Sequence, residues 1–307
     1  WRRSVEIDPG FSIPWRNLGL AAYNIQRDVD AALGLFENAL KANPHDPRLL
    51  LEYDYLLRRK AVAPEDRLTL LESNHSVVDL RDDLTIHLMG LNNRLGMPQK
   101  ALEIANSRIY HAWEGGEGTV ASEYSSAHWI MGRQALEGGN AHVALDHFQA
   151  GQVFPENLGE HPWEGATIFL VYYAGLAHAA LGQAGEARAA FEQARAFKGD
   201  LSQAGIYAAL ALRHLGHEAE GCDELKEMIR QAGVLAEKPF AWNYFYAGNP
   251  SPTFEEDQQK EQRMAYTLLA GPAAAGLGDK AGAKSALGQV LAVDPANLAA
   301  WEEYQRL

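Results

Sequence analysis

The chain has 307 residues, 47% of them hydrophobic, and a formal net charge of −13 at pH 7. This negative charge argues against non-specific binding to nucleic acid or to a membrane of anionic lipid. The single cysteine, Cys222, excludes an internal disulfide bond, and no apolar run approaches the roughly 18 residues of a membrane span. We therefore expect a cytoplasmic protein that partners neither nucleic acid nor membrane.

The first 44 residues contain one and a half copies of a two-helix pattern. The complete copy spans residues 15–44, and its small residues Gly19 and Ala32 predict two helices that cross too closely for large side chains. Pro44 marks the end of the second helix, because proline cannot continue the helical hydrogen-bond ladder. The half copy, residues 1–9, matches the second helix alone and would leave an apolar face uncovered. We therefore expect the chain to be a piece of a longer polypeptide.

The order of aromatic, small and proline residues in 15–44 resembles the tetratricopeptide repeat, in which two antiparallel helices form a unit of about 34 residues. Further units are predicted over residues 46–74, 81–110, 122–154, 166–197 and 200–232, and a last repeat with its capping helix, 296–307, is predicted over 257–307. Glycines that tolerate positive φ mark the turns inside units, at Gly139, Gly182, Gly216 and Gly278. No segment has the period-2 alternation of a strand. We predict an all-α fold, a right-handed solenoid of antiparallel pairs with about fifteen or sixteen helices.

Three long connections interrupt the regular spacing, at residues 111–121, 155–165 and 233–256. Each joins the second helix of one unit to the first helix of the next, and connections of that type emerge on one edge of a solenoid. We therefore expect all three to share one rim, with the first two in adjacent gaps. The prediction is one solenoid over 1–307, with N-terminal repeats in 1–110, central repeats and the long connections in 111–256, and a last repeat with its capping helix in 257–307.

The first two connections share a His-x-Trp-Glu-Gly string, at 111–115 and 161–165. The candidate residues on the rim, with two from the aromatic-rich third connection, are His111, Trp113, Glu114, Glu117, His161, Trp163, Glu164, Trp242 and Tyr244. In one interpretation they are structural: tryptophans fill the groove between repeats, glutamates lie at positive helix ends and glycines allow tight turns. In the other they bind a ligand or a neighbouring domain, since tryptophan and tyrosine suit interfaces and sugar stacking.

A metal site is a third interpretation, because two His-x-x-Glu pairs supply nitrogen and oxygen ligands: His111 with Glu114, and His161 with Glu164. This motif in a loop is a weak signal and no cysteine joins it, so we predict no metal and no cofactor. No catalytic constellation emerges: Cys222 lies beside a small-residue position, and no serine has a Gly-x-Ser-x-Gly context. We therefore expect this chain not to be an enzyme.

The repeat register also predicts which side chains of the first helices face the concave groove. They are Arg16, Arg48, Tyr55, Arg58, Arg59, Asn93, Arg94, Trp129, Arg133, Tyr172 and Tyr207. Arginines gathered on the inner wall of an acidic chain suit a partner that bears carboxylates. Alternatively, they are solvated side chains that pair with nearby glutamates of the chain itself.

Beyond the repeat, three strings resemble one protein family, at residues 113–118, 155–160 and 254–257. They are similar to the C-terminal tail of large bacterial proteins that join an N-terminal β-sandwich domain of unknown function to tetratricopeptide repeats. The resemblance covers residues 90–277. It implies a link to carbohydrate metabolism through the β-sandwich half, and it carries no catalytic residue onto this chain.

Two functions follow as hypotheses. In the first, the chain is an interaction scaffold that binds a protein or peptide, or the β-sandwich domain of the same polypeptide, through its groove or its rim. In the second, it is an accessory part of a carbohydrate-active bacterial enzyme, in which the rim shapes the substrate pocket and contacts carbohydrate.

Overall fold

A computed structural model describes residues 1–113, 115–161, 165–197, 201–241 and 253–307. Within these ranges the chain forms seventeen α-helices, one short 3-10 helix and no strand. Consecutive helices pack against each other along the whole chain. The predicted all-α solenoid of helix pairs is confirmed.

The α-helices are, in chain order, α1 Arg2–Ile7, α2 Ser12–Asn24, α3 Val29–Ala42, α4 Pro47–Arg59, α5 Pro64–Ser73, α6 His75–Val78, α7 Asp82–Arg94, α8 Pro98–Asn106, α9 Thr119–Glu137, α10 Ala141–Ala150, α11 Ile168–Ala180, α12 Ala184–Arg195, α13 Gln203–His214, α14 Glu218–Glu237, α15 Gln258–Gly276, α16 Lys280–Val293 and α17 Leu298–Gln305. The 3-10 helix covers Glu156–Leu158. The count exceeds the prediction because α6 adds a single turn after α5. None of these helices is long and apolar enough to cross a lipid bilayer.

Glycine allows the close helix crossings that the sequence predicts. A β-carbon added to the glycine of four first helices would lie only 2.4–2.7 Å from a large side chain of the paired second helix. The facing pairs are Gly19 with Phe36, Gly132 with Phe148, Gly175 with Phe191, and Gly271 with Leu287. The core therefore runs along the solenoid as a row of apolar clusters, and the crossings that contain Phe148 and Phe191 share one of them.

Gly132→Ala is expected to destabilise the protein by about 1–3 kcal/mol, because a β-carbon 2.4 Å from Phe148 would overpack this crossing. The matched control is Gly34→Ala in α3, where a β-carbon meets no atom within 4 Å. There, the helix propensity of alanine should add roughly 0.5–1 kcal/mol. Urea unfolding of both variants measures the two free energies, and equal changes would contradict a close crossing at Gly132.

The turns inside the pairs contain residues with positive φ. Gly139 has a φ of 79° between α9 and α10, and Gly278 has a φ of 80° between α15 and α16. Between α2 and α3, where the turn is one residue longer than the repeat pattern, Arg27 takes this role with a φ of 57°. Positive φ is uncommon for a residue with a β-carbon. The guanidinium of Arg27 reaches Glu255, 3.7 Å away, and so connects this turn to the far end of the chain.

The first and last repeats meet in space. The C-terminal end of the third long connection places Phe254 against Tyr23 of α2 and Tyr55 of α4, with ring centroids 5.1 and 4.6 Å away. Phe254 is only 6% exposed, and Tyr23 donates a hydrogen bond to Glu256 over 2.7 Å. The superhelix therefore closes on itself.

Candidate partner-binding site

The arginines of the concave wall reach the C-terminal end of the chain. Arg58 of α4 donates from Nε to Oδ1 of Asp294 over 3.0 Å. Arg133 of α9 donates from Nη1 to Oε2 of Glu302 over 3.1 Å, and both of these side chains are 8% exposed. Because the two arginines belong to different repeats, the segment from the end of α16 through α17 lies along the wall.

Two further arginines of the wall hold the same end of the chain. The guanidinium of Arg94 lies over the ring of Trp301 in α17, 4.1 Å from its centroid. Arg59 pairs with Glu256 at 3.1 Å and with Glu261 at 3.0 Å. Helices α15 and α17 thus cover part of the groove that the repeat register predicts.

The first repeats contain the remaining charged candidates of the groove. Arg16 and Arg48 both pair with the carboxylate of Glu52, and the Arg48 bond measures 3.0 Å. Tyr55 stacks on Phe254 and donates a hydrogen bond to the Glu256 carboxylate. Every arginine that the register places in the groove therefore has a partner within the chain.

The other groove candidates lie in the interior. Trp129, Tyr172 and Tyr207 are buried in the largest apolar cluster, which joins α9, α11 and α13. Asn93 is buried and donates from Nδ2 to Oε2 of Glu123 over 2.8 Å. These side chains pack in the core behind the concave surface. Among them, Trp129 and Tyr207 also line a cavity.

The first two long connections are bound to each other. The backbone N–H of Tyr110 donates to the carbonyl of Asn157 over 2.7 Å. The carboxylate of Glu160 accepts from the backbone N–H groups of Gly118, at 2.7 Å, and Ala121, at 3.0 Å. Glu160 thereby caps the N-terminus of α9, where free N–H groups and the helix dipole favour a negative charge.

In the described part of the chain, the end of the third long connection contacts the first repeat and not the other two connections. Its last residues, 253–256, contact the end of α2: Asn24 donates to the carbonyl of Thr253 over 3.0 Å and accepts from the N–H of Glu255 over 2.9 Å. A rim shared by all three connections therefore stays a prediction, with contact described between the first two.

The rim candidates have different surroundings. Nδ1 of His111 lies 3.2 Å from Oδ2 of Asp82. Trp113 is half-buried, and Gly116 lies directly against its indole ring. The exposed candidates are His111, Glu117 and His161. The candidates outside the described ranges are Glu114, Trp163, Glu164, Trp242 and Tyr244. Among described residues, no three His, Cys, Asp or Glu side chains form a group that could hold a metal ion.

A cavity of about 800 Å³ remains between the wall and the C-terminal helices, and we call it the concave cavity. Its lining joins Glu117 of the first long connection to Gly165 of the second. Trp129 and Tyr207 contribute to the wall side, and the opposite side is apolar, with Leu268 of α15 and Leu298 of α17. The cavity is therefore the place where rim and groove candidates come together.

The charges that line the concave cavity are all negative: Glu117, Glu123 and Glu303. Glu303 pairs with Arg306 at 2.9 Å, whereas Glu123 is half-buried and accepts a hydrogen bond from the neutral amide of Asn93. Burial raises the pKa of Glu123, and the Asn93 hydrogen bond only partly opposes this rise. No Lys, Arg or His among the described residues lines the cavity.

A second cavity, of about 450 Å³, lies between α4, α7 and Phe254. Its arginines are neutralised locally, because Arg48 pairs with Glu52 and Arg81 pairs with Asp83. The concave cavity is thus the larger of the two, and it contains Glu123, a half-buried carboxylate without a cationic partner among the described residues.

A histidine pair joins α9 to α10. His128 and His147 face each other with their Nδ1 atoms 3.2 Å apart, so one ring must accept a hydrogen bond from the other and carries no proton on that nitrogen. Burial, and then the charge of His147, lowers the pKa of His128 to about 4. Burial also lowers the pKa of His147. The folded protein therefore favours the neutral pair.

Acidification is expected to cost stability through this pair. Unfolded histidine has a pKa near 6.5 and folded His128 has about 4, so the stabilisation is complete above pH 6.5 and is lost as the pH falls toward 4. We expect a loss of roughly 1–3 kcal/mol over that window. His128→Gln should flatten the pH dependence of the melting temperature, while His142→Gln, at an exposed position of α10, should leave it unchanged. The same slope in all three proteins would contradict the assignment.

Several lining residues of the concave cavity escape sequence reasoning. In the sequence, Glu123 looks like an ordinary helical glutamate, and Leu298 looks like part of the capping helix. The only local signal is the adjacent pair Leu268 and Leu269 in the middle of α15. Repeat register relates neighbouring units only, so it does not indicate that α15 and α17 return to the wall of α9.

No family model matches the chain. Among solved structures, it is similar to a tetratricopeptide repeat protein from Parabacteroides merdae, with 14% identity, a TM-score of 0.48, and coverage of 96% of this chain and 97% of that chain. It is also similar to a chain of the APC/C hetero-tetramer Cut9-Hcn1, with 12% identity, a TM-score of 0.37, and coverage of 98% of this chain and 50% of that chain. A third similar structure is the TPR domain of P58(IPK), with 14% identity, a TM-score of 0.31, and coverage of 95% of this chain and 86% of that chain. At these identities the likeness concerns the fold alone.

Proposed function

We propose that the chain is an interaction scaffold that binds a segment of a partner protein in the concave cavity. Its volume of about 800 Å³ falls within the roughly 300–1,000 Å³ typical of ligand sites. Its lining combines aromatic and leucine side chains, which can bury anchoring side chains of a partner, with serine, threonine, glutamine and glutamate side chains that can bind its polar groups. One observation carries the proposal: the groove arginines are engaged within the chain, which leaves this cavity as the larger of the two open spaces described along the concave face.

The position of α17 supports a segment as the occupant. This helix already lies on the wall of α7 and α9, fixed by Arg94 over Trp301 and by Arg133 with Glu302. A partner segment would lie beside α17 and bury its apolar side chains against the leucines of α15, which is how a groove binds an amphipathic segment. The two joined long connections would contact its flanking residues at the border of the cavity.

Selection from a random peptide library tests this proposal. Enriched peptides are expected to bind Ser122→Trp at least about 10-fold more weakly, because an indole at this exposed lining position fills part of the cavity. Ser285→Trp on the exposed side of α16 is the matched control and should bind like the parent chain. Ala299→Trp narrows the opposite side and should repeat the loss. No enrichment, or full affinity in both filled variants, would reject the cavity as the partner site.

The β-sandwich domain and the carbohydrate that the resemblance implies stay hypotheses about the partner. Trp113 is the rim tryptophan within the described ranges, and its ring packs on Gly116 and the neighbouring apolar cluster. This packing supports a role in holding the loop. Calorimetric titration with oligosaccharides tests the carbohydrate hypothesis, which predicts a binding heat that Trp113→Ala reduces.

A further inference from the structure

We propose that the bound segment carries a lysine or arginine whose positive charge pairs with Glu123 inside the concave cavity. This inference rests on the proposed function and adds the chemistry of the partner. It reverses the expectation from composition and register, in which the groove arginines select a partner that bears carboxylates.

The balance of charge in the cavity is the first reason. The negative charge of Glu303 is matched by Arg306 at 2.9 Å, and Glu117 lies on an exposed loop where it accepts from the N–H of Gly115 over 2.8 Å. Glu123 has neither a cationic partner among the described residues nor free access to solvent. An anionic segment would meet three carboxylates, whereas a cation could pair with Glu123, the half-buried carboxylate that has no cationic partner among the described residues.

The distant positive charges do not fill this role. His87 and Arg58 attract Glu123 weakly and do not prevent the rise of its pKa by burial. Each is bonded to another carboxylate: His87 lies 2.8 Å from Asp54, and Arg58 donates to Asp294 over 3.0 Å. Both side chains are therefore bound to other carboxylates in the wall.

Desolvation is the second reason. A segment that fills the cavity removes the remaining water from Glu123, and a buried carboxylate without a partner is costly. A neutral segment would leave that cost in place, whereas a lysine or arginine would offset it with a charge-assisted hydrogen bond. The hydrocarbon stem of such a side chain can pack on apolar surface while its charged end reaches a polar group. Phe169 and Tyr207 supply such surface in the lining.

The experiment uses the peptides enriched on the parent chain. We expect a basic residue in the enriched set, and we expect its replacement, lysine by norleucine or arginine by citrulline, to weaken binding at least about 10-fold. Glu123→Gln should weaken the basic peptide by a similar factor and should make binding insensitive to the replacement. Glu186→Gln, at an exposed position of α12, is the matched control and should bind like the parent chain.

Glu123→Gln is designed to keep the fold. Its amide oxygen can still accept the hydrogen bond from Asn93, and removal of a desolvated charge should leave the melting temperature unchanged or higher. If Ser122→Trp blocks binding while Glu123→Gln and the neutral analogues bind fully, the charge pairing is wrong and the scaffold function stands. If the filled variants bind fully, the scaffold function itself fails.

Discussion

Arg67→Met is expected to lower the free energy of unfolding by about 3–5 kcal/mol, because it leaves a buried carboxylate without its guanidinium. Asp54 is 0% exposed and Arg67 is 3% exposed, and the two are joined by hydrogen bonds of 2.8 and 2.7 Å. His87 of α7 lies 2.8 Å from the same carboxylate. A single carboxyl group therefore ties α4, α5 and α7 together, and chemical denaturation measures its loss.

The matched control for this substitution is Arg188→Met. Arg188 pairs with Glu192 one turn along α12 at 2.8 Å, but these side chains are 71% and 55% exposed. Exposed pairs are worth about 0.2–1 kcal/mol, so the control should lose little. Similar losses in the two variants would show that burial of the Asp54 pair does not matter.

Acid should erase the difference between the parent chain and Arg67→Met. Burial raises the pKa of Asp54, but hydrogen bonds from His87 and Arg67 outweigh burial and lower it to about 2. Because the folded pKa lies below the ordinary aspartate value of 3.8, this contribution is present above pH 4 and is lost as the pH falls toward 2. Unfolding curves at successive pH values should therefore converge for the two proteins in that window.

The second large effect is expected from Arg133→Glu, which should release α17 from the concave wall. The substitution places a carboxylate next to Glu302, where little solvent is present to screen the repulsion. We expect a loss of about 3–5 kcal/mol and faster amide hydrogen exchange throughout α17. Exchange followed by mass spectrometry measures both the site and the extent of release.

Reversal of the pair provides the control for this release. Arg133→Glu combined with Glu302→Arg restores an ion pair in the opposite order and should restore slow exchange in α17. Arg263→Glu changes an exposed pair with Glu237, at 3.0 Å, and should leave α17 protected. Protection of α17 in Arg133→Glu alone would mean that this contact does not hold the helix.

The helix pairs are predictable because their determinants are local. Gly132 and Phe148 lie in consecutive helices that are joined by one short turn, and they meet where these helices cross. Their spacing in the sequence is therefore enough to predict the crossing. The closure is not predictable in this way, since Arg133 and Glu302 are separated by 169 positions. Small differences in the angle between successive repeats decide whether distant helices meet, and no residue type in the repeat pattern records that angle.

In the candidate site, too, residues set by the repeat register can be predicted, whereas residues that depend on contacts between distant repeats cannot. Trp129 and Tyr207 are predicted as groove residues from register, and they border the concave cavity. The expectation that Arg94 and Arg133 stand free for a partner could not include Trp301 and Glu302, because register says nothing about contacts beyond the next repeat. Glu123 is unpredictable for a further reason: its chemistry comes from desolvation by helices that are distant in the chain.

The contact of Phe254 with Tyr23 and Tyr55 has a consequence for how the chain unfolds. In an open array each repeat touches only its neighbours, so terminal repeats fray while the centre persists. Here the terminal repeats share one interface, with Tyr23 bonded to a residue 233 positions away. Loss of either end breaks that interface for both, so the ends should melt together in one cooperative event. Refolding should be slow, because a long loop must close before that contact can form.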